Sequence, residues 1–260
     1  MRITDGRTHE AVELPADRSR LLRMSVHLPL VGHTPTVADA RVLVTADVLL
    51  RAVEAGGRQL AWVCELPDPS AGRDEALRAL MGSLGVHPPS ACMGSGETEE
   101  VLGGPADVNV FGNGRRDAEQ GVWLEVGGVR GAGAQDVIPA EGKDLLALRL
   151  ELLGRPYRRP IALTPLETGA AEQKLRLWRD RVAQWACWPS KPIPEEYRRR
   201  ADDALSDDLG TPAVLGLLCR AEAAADVPEG AKFELFAHLD RILGLELIRE
   251  IGRVPLPEAG

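Results

Sequence analysis

The sequence predicts an α/β protein: a parallel, doubly wound, Rossmann-like sheet followed by an α-helical bundle. Three observations carry this. Two short apolar runs at residues 24–31 and 59–66 flank a long stretch whose apolar residues recur at helical spacing. A further helical pattern follows the second run, so strand, helix, strand and helix succeed one another as a βαβ unit does. From Lys143 onward the patterns are helical. The expected division is therefore residues 1–142 for the sheet domain and 143–260 for the bundle.

Residues 2–23 read as a polar lead-in, with turn signals at Asp5-Gly6 and Pro15. Residues 24–31 are a strand ended by Gly32 and Pro35. Val37, Ala40, Val44, Val48 and Ala52 mark a helix over 37–54, stopped by Gly56-Gly57. In residues 59–66, Leu60, Trp62 and Cys64 alternate with Ala61 and Val63, the near-continuous apolarity of a parallel strand buried on both faces. A helix over 73–84 follows. Residues 85–142 are glycine-rich, with strands at 107–111 and 122–126 around the turn Gly112-Asn113-Gly114. Helices are expected over 143–153, 167–186, 195–206, 211–225 and 231–243. Pro189, Pro192 and Pro194 separate the second from the third. Thr211-Pro212 reads as a helix start, with threonine as the N-cap and proline at the first helical position. The stripe Phe233, Phe236, Leu239 and Leu243 reads as core before contact surface.

With 260 residues, 44% hydrophobic and 27% charged, the composition is that of an ordinary soluble globular protein. A net charge of −8 and an aromatic content of 4% give no general footprint for nucleic acid. The run Arg198-Arg199-Arg200 is followed by Asp202, Asp203, Asp207 and Asp208 and reads as a solvated helix face. Cys64, Cys92, Cys187 and Cys219 are spread along the chain without C-x-x-C spacing, which points to reduced thiols and a cytoplasmic location. No apolar signal core and no apolar run long enough for a membrane span is visible.

The segment MSVHLPLVGHTPTVADARVLVTADVL at 24–49 resembles the first strand, loop and helix of the cysteinyl-tRNA synthetases, C-G-P-T-V-Y-D-x-x-H-I-G-H-A-R-T-F-V-x-x-D-V-L. Pro29, Val31, Ala40-Arg41 and Asp47-Val48 fall on matching positions. DLLALRLELLGRPYRRPIALTP at 144–165 is similar to D-A-L-R-Y-x-L-L-x-x-H-Y-R-S-P, with Arg149, Tyr157, Arg158 and Pro160 in place. ALSDDLGTP at 204–212 resembles A-M-D-D-D-F-N-T-P. DVNVFGNGRRDAEQ at 107–120 and VWLEVGGV at 122–129 resemble two further family segments. These motifs run in family order with two long deletions. The chain is accordingly identified as a truncated, degenerate relative of that class I synthetase family, nearest in size to its mycothiol cysteine ligase branch.

The resemblance implies an adenylate-forming site, and the departures from it bear on every part of that site. The H-I-G-H tetrad falls on Thr36-Val37-Ala38-Asp39, and Asp39 would repel a triphosphate. A shifted tetrad ending at His33 would break the A-R and D-V matches; His33 reads as a loop or cap residue before a lining of the old pocket. K-M-S-K-S is absent, and its place holds Arg130 and a small-residue loop, either a phosphate contact or a shortened turn. The first zinc cysteine becomes His27, the second lies in a deleted region, and H-H-E-N-E becomes the stretch from Arg115 to Gln120. One imidazole does not make a three- or four-ligand site, so no metal is expected and His27 reads as a partly buried, hydrogen-bonded histidine. Asp68 matches a family aspartate after the second strand, at the sheet edge where α/β ligands bind. Trp123 matches a tryptophan on the family's substrate side, or is core.

A remnant pocket is thus expected from His27, His33, Asp39, Asp68, Trp123, Glu125 and Arg130, together with Leu28. Two functions compete. One is a catalytically degenerate, cytoplasmic protein that binds a small amino acid or nucleotide, or serves a protein partner or its own dimer. The other is a repurposed ATP-dependent amino-acid ligase of specialised metabolism, its phosphate ligands drawn from Arg41, Arg115, Arg116 and Arg130. ATP is a cofactor under the second reading alone; neither reading includes zinc, tRNA or a membrane. No G-x-S-x-G elbow or G-x-x-x-x-G-K-[ST] loop offers another chemistry, and Cys92 has His87 as its one nearby histidine in sequence.

Overall fold

The lead-in is structured: β1 (Arg2–Thr4) and β2 (Ala11–Glu13) pair as an antiparallel hairpin. In this computed structural model, residues 1–15, 21–28, 34–66, 71–94, 96–112, 120–130, 138 and 144–253 are described. The βαβ unit follows as β3 (Leu22–His27), α1 (Val37–Ala55), β4 (Leu60–Glu65) and α2 (Ala71–Ser83). Next come β5 (Cys92–Met93), α3 (Thr98–Leu102), β6 (Val108–Gly112), β7 (Val122–Val126) and β8 (Val129–Arg130). Among the described residues one sheet has five strands in the order β5-β4-β3-β6-β7, every neighbouring pair parallel. The chain builds outward from β3 through β4 to β5, then returns across β3 to lay down β6 and β7. The order reverses between β3 and β6, and the crevice at their carboxyl ends is where such sheets bind ligands.

The helical region consists of α4 (Leu145–Leu153), α5 (Pro165–Trp185), α6 (Glu195–Ser206), α7 (Thr211–Ala223) and α8 (Glu229–Leu243). A short β9 (Ile161–Ala162) pairs with β8. Phe236, Leu239 and Leu243 are buried in the core, with Phe233 partly buried against it. No helix of the described residues is long and apolar enough to cross a membrane.

Strand side chains alternate between faces, so the register assigns each residue to one. Leu22, Met24, Val26, Trp62, Cys64, Val108, Val110, Leu124 and Val126 share an apolar face, all buried. The opposite face carries Arg23, Ser25, His27, Val63, Glu65, Asn109, Phe111, Trp123 and Glu125. Its cover includes a small cluster of Val63, Met93 and Leu102 beneath α3. A sheet with two fully apolar faces needs no such polar set.

The residues that carry the family resemblance meet one another where the sheet's α1 joins the helical region. Arg41 donates to Gly127 O (2.6 Å), Pro156 O (3.0 Å) and Arg159 O (2.7 Å), and burial pushes its guanidinium down to about 10. Arg149, fully buried, donates to Asp47 Oδ2 (2.5 Å), Leu243 O (2.6 Å) and Leu84 O (3.0 Å). Tyr157 donates to Asp208 Oδ1 (2.5 Å), which also accepts from Thr4 N (2.9 Å). Asp208 and Leu209 both have positive φ, 56° and 52°, strained for residues with a side chain. Thr211 does not cap α7: Gly210 is the N-cap, and the threonine hydroxyl donates to Leu153 O at 2.8 Å.

Candidate functional site

The polar face of the sheet is ordered by a chain of hydrogen bonds. Thr98 Oγ1 lies 3.3 Å from Glu65 Oε2, which lies 3.3 Å from His27 Nδ1. His27 Nε2 is 2.9 Å from Asn109 Oδ1, and Asn109 Nδ2 donates to Gln120 O at 2.8 Å. The carbonyl of Gln120 can only accept, so it fixes the Asn109 amide with Nδ2 toward it and Oδ1 toward the imidazole. His27 must then carry its proton on Nε2. His27, Glu65 and Asn109 are all buried. With Asn109 beside Nε2 and Glu65 beside Nδ1, a metal at His27 would have to displace one of these partners. No group of three or more metal-ligating side chains occurs among the described residues.

Two residues on this face have buried polar atoms without a described hydrogen-bond partner: Ser25 Oγ and Trp123 Nε1. Ser25, Asn109 and Trp123 stand in one row of the register, while Glu65, His27, Phe111 and Glu125 stand in the next, nearer the carboxyl edge. Trp123 packs edge-on against Phe111, ring centroids 5.5 Å apart, with the Arg7 guanidinium 4.8 Å from its ring centre. The hairpin turn closes over it: Gly6 N donates to Trp123 O (2.7 Å) and the Asp5 carboxylate accepts from Arg7 Nη2 (3.0 Å). Burial pushes the Asp5 carboxyl up, but the Arg7 contacts outweigh it and hold the group below its ordinary range. The approach at Gly6 is close: a Cβ there would stand 3.0 Å from Glu125 Cβ, and the neighbour would have to give.

Of the residues expected in a pocket, His27, Trp123 and half-buried Glu125 share this face. Leu28 is fully buried. Asp39 belongs to another structure. It is the third residue of α1 and forms a capping box with Thr36: its Oδ2 accepts from Thr36 N (2.8 Å) and Thr36 Oγ1 (2.7 Å), and Thr36 Oγ1 accepts from Asp39 N (3.3 Å). Arg130 is exposed on β8, paired with β9. Arg41, expected as a phosphate ligand, is buried on backbone carbonyls, because the loop at 127–128 and the turn at 156–159 converge on it. His33, Asp68, Arg115 and Arg116 lie outside the described residues. His87 bonds Asp47 Oδ1 at 2.8 Å. Sequence reasoning missed Glu65, Thr98 and Asn109. The signal lay in the spacing: Ser25 and His27, Val63 and Glu65, Asn109 and Phe111 are i, i+2 pairs on one sheet face.

Fold and site together define a Rossmann-type α/β protein with a helical C-terminal region and a polar, carboxylate- and imidazole-bearing face at the crossover of its sheet. Comparison with curated proteins finds similarity to ligases over part of the chain. The chain is similar to L-cysteine:1D-myo-inositol 2-amino-2-deoxy-alpha-D-glucopyranoside ligase of Geodermatophilus obscurus, 34% identical over 113 residues, covering 41% of this chain and 26% of that protein. The ligase of the same description from Streptomyces griseus subsp. griseus is 35% identical over 113 residues, with shares of 41% and 26%. That of Thermobispora bispora is 35% identical over 105 residues, with shares of 40% and 25%. The chain thus spans about a quarter of the length of the curated relatives it matches. No family model matches it.

Proposed function

We propose that the chain binds a small amino-acid-type ligand on the polar face of its sheet and does not activate that ligand with ATP. The observation that carries this reading is the Thr36–Asp39 capping box. The N-terminus of the helix after the first strand is where a phosphate would use free N–H groups and the helix dipole. Here the Asp39 carboxylate sits at that end, bonded to Thr36 N and Thr36 Oγ1, and a carboxylate opposes a second anion. Ser25 Oγ and Trp123 Nε1 supply polar contacts for a small ligand, and Glu65 and Glu125 supply carboxylates for an ammonium group. Similarity to ligases whose name specifies L-cysteine supports an amino acid as that ligand.

Calorimetric titration of the folded chain with the standard amino acids, ATP and a non-hydrolysable aminoacyl-sulfamoyl adenosine tests the proposal. One amino acid should bind saturably, His27→Ala should weaken it by about tenfold or more, and ATP should give no heat of binding. Saturable ATP binding at micromolar affinity contradicts it. That result favours the ligase reading, which rests on the activity named for the relatives. Arg115→Ala or Arg130→Ala should then abolish pyrophosphate exchange.

A further inference from the structure

On the apolar face of the sheet, the fold brings together two cysteines that are separate in sequence. Cys64 on β4 and Cys92 on β5 are direct partners in the parallel register. Neighbouring strands lie about 4.8 Å apart, within the Cα separation a disulfide spans. The pleat sends both side chains the same way, which places the two thiols side by side on one face. Both are free. They differ in access: Cys64 is fully buried, whereas Cys92 is partly exposed at the sheet edge. Their surroundings push the two thiols in opposite directions. The Cys92 partner and burial push the Cys64 thiol well up. The hydrogen bond from Cys64 pulls the Cys92 thiol down against burial and Asp74, with Arg78 adding to the pull. β5 is a two-residue edge strand, held to β4 by bonds such as Cys64 N to Ala91 O (2.9 Å) and Leu66 N to Met93 O (2.8 Å). A short edge strand can shift as a bond forms.

We propose that Cys92 and Cys64 form a reversible thiol-oxidation site, with Cys92 the reacting thiolate and Cys64 the resolving thiol. The oxidant class is a hydroperoxide. The Cys92 sulfur attacks the terminal peroxide oxygen, the O–O bond breaks, and the remaining oxygen leaves as an alcohol or water after taking a proton; Cys92 becomes a sulfenic acid. The Cys64 sulfur then attacks the Cys92 sulfur, the S–O bond breaks, and the departing hydroxide takes the Cys64 proton as water. Two electrons pass from the thiol pair to the peroxide. A dithiol reductant returns them by exchange.

The test is titration of the full chain with hydrogen peroxide, followed by intact-mass measurement and peptide mapping under non-reducing conditions. The expected product has lost two hydrogens, gained no oxygen and links the peptides containing Cys64 and Cys92; dithiothreitol restores the starting mass. In Cys64→Ala the sulfenic acid on Cys92 should accumulate, raising its dimedone labelling about tenfold over the native chain. Oxygen accumulating on Cys92 of the native chain without a cross-link would overturn the proposal. So would oxidation of the pair no faster than that of exposed Cys187 and Cys219. Mapping on the native chain decides the matter even where the buried substitution prevents folding.

Discussion

Replacing Arg149 with methionine removes the charge that joins α1 to the helical region while keeping much of the aliphatic stem. Asp47 is not orphaned by the change, since Arg51 Nε remains at 2.7 Å and His87 Nδ1 at 2.8 Å. The cost falls on the carbonyls of Leu84 and Leu243, which lose their Arg149 donors, and on the lost ion pair. Each buried acceptor left without its donor costs about 1–3 kcal/mol, so the two carbonyls together set the size of the loss. Arg149→Met should therefore lose about 4 kcal/mol. In a chain of this size that lowers the melting temperature by roughly 8–16 °C. Urea unfolding at neutral pH, followed by tryptophan fluorescence, measures the loss. Arg198→Ala is the control: its partners Glu195 and Asp202 are exposed with it, and the change should leave the urea midpoint unchanged within error. A loss below about 1 kcal/mol for Arg149→Met would refute the claim that these residues weld the sheet to the helices.

Three further outcomes follow from the same contacts. Gly127→Ala would place a Cβ 2.5 Å from the Arg159 carbonyl carbon and 2.6 Å from Arg158 O; because those atoms are backbone, the change should cost about 3 kcal/mol in urea unfolding. Thr36→Ala removes the α1 cap and should cost about 1 kcal/mol by the same measurement. Burial raises the Asp47 carboxyl, but His87, Arg149 and Arg51 outweigh it and hold the group well below the ordinary carboxylate range. A depressed carboxyl stabilises the fold above its unfolded value near pH 4 and loses that contribution as the pH falls toward the folded value. Native stability should therefore drop between about pH 4.5 and pH 2.5 more steeply than that of Arg149→Met, as read by urea midpoints across that range.

The regular elements were legible because their periods are long enough to read. Val122–Val126 shows strand alternation, and Val37–Ala55 has both an apolar stripe and glycines at its end. Cys92–Met93 spans two residues, too few for a period, and is a strand only because Cys64 and Glu65 lie beside it. The β1–β2 hairpin was hidden for the same reason, each arm being three residues long. The family residues were legible, but their task was not. Arg41 read as a phosphate donor, yet four backbone carbonyls from two distant segments surround it, and no local pattern announces such a convergence. Asn109 sits inside an apolar strand and reads as core until the register puts it beside His27. The proximity of Cys64 and Cys92 is likewise a fact of register alone.

ATP–pyrophosphate exchange in the presence of each amino acid, run on chain shown to unfold cooperatively, tests most directly whether an α1 N-terminus capped by Asp39 can support activation. The account predicts no exchange above the protein-free background for any amino acid. Exchange that depends on one amino acid and saturates with ATP would contradict it and make the chain an adenylate-forming enzyme.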